Sequence, residues 1–137
     1  MTTLDRTREV FANDRFATTQ SGIEITAVGA HEAECTMHVD ERHCNARGAT
    51  MGGALFTLAD FAAAIAANSD DIESGDLHWV SLDATIHYLS PAITGTSLRA
   101  SCSALKSGRA TALYQTIIES LDNGKRIAIV ETTMIRV

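Results

Sequence analysis

At 137 residues, with 45% apolar and 20% charged side chains, the chain has the composition of an ordinary soluble domain and enough length to bury a core. A net charge of −6 argues against a general nucleic-acid binder, which shows a basic face. Three widely spaced cysteines, Cys35, Cys44 and Cys102, form neither a disulfide framework nor a zinc pattern, and the charged start MTTLDRTREV is unlike a signal peptide, so one cytoplasmic domain over residues 1–137 with reduced thiols is expected.

Thr2-Thr3 cap a short helix over Leu4–Ala12, with Leu4, Val10 and Phe11 as its apolar contacts and Arg6, Arg8 and Glu9 on its solvated side. From Gly22 the period changes from helical to alternating. Ile23, Ile25 and Ala27, then Ala33, Cys35, Met37 and Val39, alternate with polar residues, which predicts two half-buried strands joined near Val28-Gly29-Ala30. Asp40–Met51 has no period and reads as a loop.

Gly53–Asn68 follows as a helix that is apolar on every side, the mark of a buried helix. The run Gly52–Ala67 is shorter than the roughly 20 residues a membrane span needs. It carries one full charge, Asp60. A buried carboxylate is costly without a partner or a task, so Asp60 is the partner of a buried polar group, a carboxylate facing solvent at a gap in the coat, or a working residue. The acidic stretch Asp70–Asp76 reads as a surface loop.

The rest is strand. Leu77–Leu89 ends at Ser90-Pro91; Ser97–Leu105 and Ala110–Leu121 flank a turn at Lys106-Ser107-Gly108-Arg109; and Ile127–Val137 closes the chain. Asn123-Gly124 is a pair favoured in tight type I′ hairpins. The expected architecture is α+β: a meandering antiparallel sheet of five to six strands wrapped around one long buried helix, plus the short N-terminal helix. The open flank and ends of that helix call for a partner subunit.

The string Asn45-Ala-Arg-Gly48-Ala-Thr-Met51-Gly52-Gly53, followed by Leu58-Ala59-Asp60, resembles the signature N-x-x-G-x-x-H-G-G-x-x-x-x-L-x-D. That signature belongs to the hotdog-fold acyl-CoA thioesterases of the phenylacetate-pathway (PaaI-like) type. Val80-Ser81-Leu82-Asp83, Tyr88-Leu89-Ser90-Pro91-Ala92 with Gly95, and the Ser107-Gly108-Arg109 turn resemble the family's later strands. The resemblance covers roughly residues 20 to 135. It implies a hotdog fold, hydrolysis of an acyl-CoA (aryl, or short to medium aliphatic), no cofactor, no metal, and a homo-oligomer, either a dimer or a dimer of dimers. One residue departs from the pattern. Met51 stands where many members have histidine, and a thioether neither titrates nor hydrogen-bonds as imidazole does.

Thioester hydrolysis needs a base or nucleophile and a donor at the developing oxyanion. The resemblance assigns the first role to Asp60, by activating water or by attacking the carbonyl itself. Gly52 and Gly53 lie where loop becomes helix, and free N–H groups there suit an oxyanion; the pair also serves a tight turn. Asn45 is a thioester-positioning amide or a turn residue, and Ser81 a neighbour of the catalytic water or a satisfied strand hydroxyl. The family's paired sites imply that Ser81 and Asp60 come from different subunits. Coenzyme A phosphates need cations, for which Arg47 in the loop and the group Arg99, Lys106 and Arg109 are candidates, with Met51 beside the substrate. His43 reads as a loop-packing residue. Whether Phe56, Phe61 and Trp79 line the acyl pocket is left open. The alternative function is a non-catalytic hotdog module for acyl-CoA binding or assembly, with Met51 marking lost activity. Neither nucleic acid nor membrane is expected as a partner.

Overall fold

A computed structural model describes residues 1–137. Helix α1 (Thr3–Phe11) opens with a capping box in which Thr2 and Asp5 satisfy each other's backbone N–H. A single π-helical turn, Phe16–Gln20, leads to β1 (Glu24–Gly29) and β2 (Glu32–His38). After a 3-10 turn at Glu41–His43 and a loop comes α2 (Gly52–Ala67), then β3 (Trp79–Tyr88), β4 (Ser97–Ser107), β5 (Thr111–Ser120) and β6 (Arg126–Arg136). No helix is long and apolar enough to cross a membrane.

All six strands form one antiparallel sheet in the order β1-β2-β4-β5-β6-β3. Consecutive strands pair as expected in β1–β2 and in β4–β5–β6, and β3 alone leaves the meander. Helix α2 crosses the concave face, so the chain leaves it beyond β6, and β3 pairs there as an edge strand. The return segment brings β4 back beside β2, where Val39 and the Gly95-Thr96 backbone exchange hydrogen bonds. Alternation in the sequence gives each strand its inward face but says nothing of strand order.

Inward-facing residues of β2, β4, β5 and β6 pack on α2. Leu58, Ala59, Ala62, Ala63, Ile65 and Ala66 of the helix are fully buried, and its many alanines let helix and sheet approach closely. The coat is incomplete, however. Gly53, Thr57, Asp60 and Ala64, spaced for one face of a helix, are exposed or half-buried. Phe61 packs inward, edge-on to Phe11 of α1 at 5.9 Å between ring centres.

The two sheet edges differ. At β1, Arg8 donates from Nε and Nη2 to the Ile25 carbonyl, a contact absent from the solvated role expected for Arg8, and a bulge bends the strand. At β3 the edge is open, with Val80 and Leu82 showing 46% and 58% of their surface.

The β5–β6 connection departs from a type I′ turn, which needs positive φ at both central residues. Only Gly124 has positive φ, and a longer loop over Leu121–Lys125 is closed by Gly124 N–H on Ser120 O and Ser120 N–H on Lys125 O.

Candidate active site

Asp60 lies midway along the open stripe of α2, half-buried. The Ser81 hydroxyl, inward on β3, donates to its Oδ1 at 3.1 Å and has Met134 Sδ as a second neighbour at 3.5 Å. Both partners belong to one chain, so the expectation of two subunits for this pair is corrected. The register of β3 on β6 shifts between Ser81 and Asp83, a bulge immediately beside this contact. Burial raises the Asp60 pKa above the ordinary carboxylate value. The Ser81 hydrogen bond pulls it back in part, and the negative charge of Asp14, just past α1, adds to the rise.

The N-terminal end of α2 is held by its approach loop. His43 is buried, accepts the Asp40 N–H at Nδ1 (3.0 Å) and reaches the Ser21 carbonyl through Nε2 (2.7 Å). That pattern makes it the neutral Nε2–H tautomer. Its own carbonyl accepts the Met51 N–H at 2.7 Å, while Thr50 binds the Ala92 carbonyl through both N–H and hydroxyl. His43 is thus a packing residue with a definite load: it anchors the residue that caps the helix.

Past this anchor, the first two N–H groups of α2, on Gly52 and Gly53, have no intrahelical acceptor, and none elsewhere in the chain takes them up. Met51 contributes no side-chain cap; its methyl lies over Gly53, 3.2 Å from where a Cβ would be. Tyr88, at the end of β3, fills the corresponding space at Gly52, with its hydroxyl 2.7 Å and Cζ 2.8 Å from a Cβ built there. A hollow of about 440 Å³ opens at this end, bounded by Gly52, Leu55, Tyr88, Leu89, Pro91 and Ala92. Another, of about 380 Å³, lies on the outer face of the sheet over Glu32, Glu34, Ser101 and Gln115, remote from α2.

Asn45 closes the loop on itself. Its side-chain oxygen accepts the N–H groups of Arg47 and Ala49, which is the turn role, and its amide nitrogen is left unpaired. Of the four candidate cations, Arg99 is misplaced by the sequence reading. It stands at the far end of β4 from the Lys106–Arg109 turn, on the outer face of the sheet, between the carboxylates of Glu34 and Glu119. Its charge is already answered.

Lys106 and Arg109 are exposed at the end of the sheet where α2 terminates, since Arg136 N–H bonds Ala110 O and Arg136 pairs with Trp79. Arg47 is exposed at the opposite end, in the loop before α2. One chain therefore splits the three remaining candidate cations between the two ends of a helix about 24 Å long. Trp79 lies beneath the Arg136 guanidinium, and Phe56 is half-buried beside the open stripe.

No three His, Cys, Asp or Glu side chains converge. Burial pushes the Cys102 thiol up to about 11 and that of Cys35 higher still, which disfavours thiolate chemistry at either. Two residues near the site had no role in the sequence reading. Tyr88 was only part of a motif, and Asn68 only a helix stop.

Comparison with known proteins agrees with the fold. The thioesterase superfamily model matches residues 47–127. Over 93 residues the chain is 33% identical to acyl-coenzyme A thioesterase PaaI of Escherichia coli K12, a match covering 68% of this chain and 63%, a little under two thirds, of that protein. It is also 33% identical over 107 residues to human acyl-coenzyme A thioesterase 13, covering 77% of this chain and 74% of that one. The solved structure of the E. coli PaaI protein from the phenylacetic acid degradation operon superposes with a TM-score of 0.85 at 25% identity, covering 99% and 96% of the two chains.

Proposed function

The chain belongs to the thioesterase superfamily and has its hotdog fold, and from that premise we propose that it hydrolyses an acyl-CoA thioester to the free acid and coenzyme A. The observation that carries this reading is Asp60, a half-buried carboxylate with a raised pKa, held by the Ser81 hydroxyl on the one open stripe of an otherwise covered helix. Asp60 removes a proton from water as it attacks the carbonyl carbon, or attacks that carbon directly to give an anhydride that water then opens. The charge that develops on the carbonyl oxygen is met by the free N–H groups of Gly52 and Gly53 at the positive end of α2. The leaving group is a thiolate, whose conjugate acid has a pKa of about 8.5, so departure needs little acid assistance.

The geometry also favours a homo-oligomer with shared sites. Gly53 and Asp60 are separated by about 10 Å along the axis of their own helix. Donor contact at about 3 Å and attack at about 3–3.5 Å ask for a closer pair. A second copy laid along the open β3 edge and the open α2 stripe would bring its helix N-terminus toward the first copy's Asp60. It would also gather Arg47 from one chain with Lys106 and Arg109 from the other, as phosphate partners for coenzyme A.

Thiol release from a panel of aryl- and aliphatic-CoA thioesters tests the proposal. Asp60→Asn should lower turnover by about 10³-fold or more while circular dichroism stays native. Wild-type turnover in that variant would make Asp60 structural. A second reading, a non-catalytic acyl-CoA-binding or assembly module, rests on Met51, which brings no imidazole to the helix cap. Saturable acyl-CoA binding without hydrolysis by the wild-type protein would select it.

A further inference from the structure

We propose that the Tyr88 hydroxyl is a third hydrogen-bond donor to the thioester oxygen, beside the N–H groups of Gly52 and Gly53. The inference deepens the thioesterase reading above and rests on it.

The first argument is position. Tyr88 occupies the space where a Cβ on Gly52 would stand, and the atom nearest that point is its hydroxyl oxygen, at 2.7 Å. A Cβ in a helix leans toward the N-terminus. Whatever replaces it stands at the end of α2 toward which the unpaired N–H groups point. The hydroxyl and the Gly52 amide therefore face one region, the hollow of about 440 Å³ that both Gly52 and Tyr88 line.

The second argument is availability. Along β3, Ser81 is the only residue whose side chain hydrogen-bonds within the chain, so the Tyr88 hydroxyl is uncommitted. A phenol can donate one hydrogen bond and accept others, whereas the residue that caps the helix, Met51, ends in a thioether with no N–H or O–H to offer. Of the hydroxyls that line the hollow, that of Thr50 is committed to the Ala92 carbonyl and those of Tyr88 and Ser90 are free, and Tyr88 is the one packed against Gly52.

The surroundings fit the task. Leu55, Leu89, Pro91 and Ala92 make the hollow largely apolar. A hydrogen bond to a growing negative charge is stronger where water is displaced by such groups. The bond also strengthens as the carbonyl oxygen gains charge, so it should favour the transition state over bound substrate. Glycine at position 52 follows from the same arrangement, since any side chain there would push the ring off the helix end.

Tyr88→Phe keeps the ring and removes only the donor. Its kcat for acyl-CoA hydrolysis should fall by about 10²-fold, the scale for loss of one oxyanion donor, with KM nearly unchanged and the melting temperature preserved. A kcat equal to wild type, or a loss confined to KM, would overturn the assignment while leaving the thioesterase reading in place. Absence of any turnover in the wild-type protein would overturn both.

Discussion

The two ends of α2 are built on opposite principles. At the C-terminal end every polar group of Asn68 is used: Nδ2 donates to the carbonyls of Ala64 and Trp79, and Oδ1 accepts the N–H groups of His78 and Trp79. One buried amide thereby closes the helix and starts β3. Ser69 adds a further tie by accepting the His31 N–H, from a turn residue with φ of 56°. At the N-terminal end two backbone donors are left free, the cap gives no side-chain bond, and glycines keep side chains out of the way. The same helix thus spends its polar satisfaction on anchorage at one end and withholds it at the other. These free N–H groups are the ones that the proposed thioesterase reading assigns to the substrate's carbonyl oxygen.

If this contrast is sound, the two ends should fail differently. The largest effect on activity belongs to the N-terminal end. Gly53→Pro deletes one N–H in the first helical turn, where proline is tolerated. Turnover should fall by about 10²-fold or more, with little change in the denaturant midpoint. Mixed with Asp60→Asn copies, it should recover activity that neither has alone, provided that sites are shared between copies. Failure to recover would place the whole site in a single chain.

At the other end the cost should fall on stability. Asn68→Ala strands three backbone groups, the Trp79 carbonyl and the N–H groups of His78 and Trp79, and should lose about 3 kcal/mol in urea unfolding, while the folded fraction turns over near the wild-type rate. A variant that kept its stability but lost kcat would erase the contrast.

The smallest effect concerns pH. Because burial raises the Asp60 pKa in the folded chain, ionising it opposes folding: the contribution is absent below the unfolded value of 3.8 and grows as pH rises through the folded one. Asp60→Asn should therefore melt slightly higher than wild type at neutral pH and show no such gain in acid. The acid limb of kcat should lie above the ordinary carboxylate range. An acid limb at or below that range would mean that another group titrates in the reaction.

Much of this was legible in the chain, and what was hidden has a physical reason. The alternation of Leu98, Ala100 and Cys102, or of Ala112, Tyr114, Thr116 and Ile118, marks strands and their inward faces directly. Asp60 announced itself as a charge in an apolar helix. Strand order did not, because pairing partners are chosen in three dimensions; β3 lies beside β6 through contacts between residues some fifty positions apart, such as Ser81 with Met134. Arg99 looked available because its answering charges, Glu34 and Glu119, sit on neighbouring strands and not nearby in sequence. Asn68 and His43 resembled a helix stop and a loop residue, and only their burial shows what each one ties down.

The far-edge position of β3 also sets an order of events. Its only strand neighbour is β6, the last strand of the sheet to be synthesised. Until β6 is in place, β3 has nothing to pair with, and Ser81 has no support for reaching Asp60. A chain stalled before Arg126 would contain Asp60, Ser81 and both glycines, yet would not assemble them. The proposed site is thus complete only once the final strand has been made.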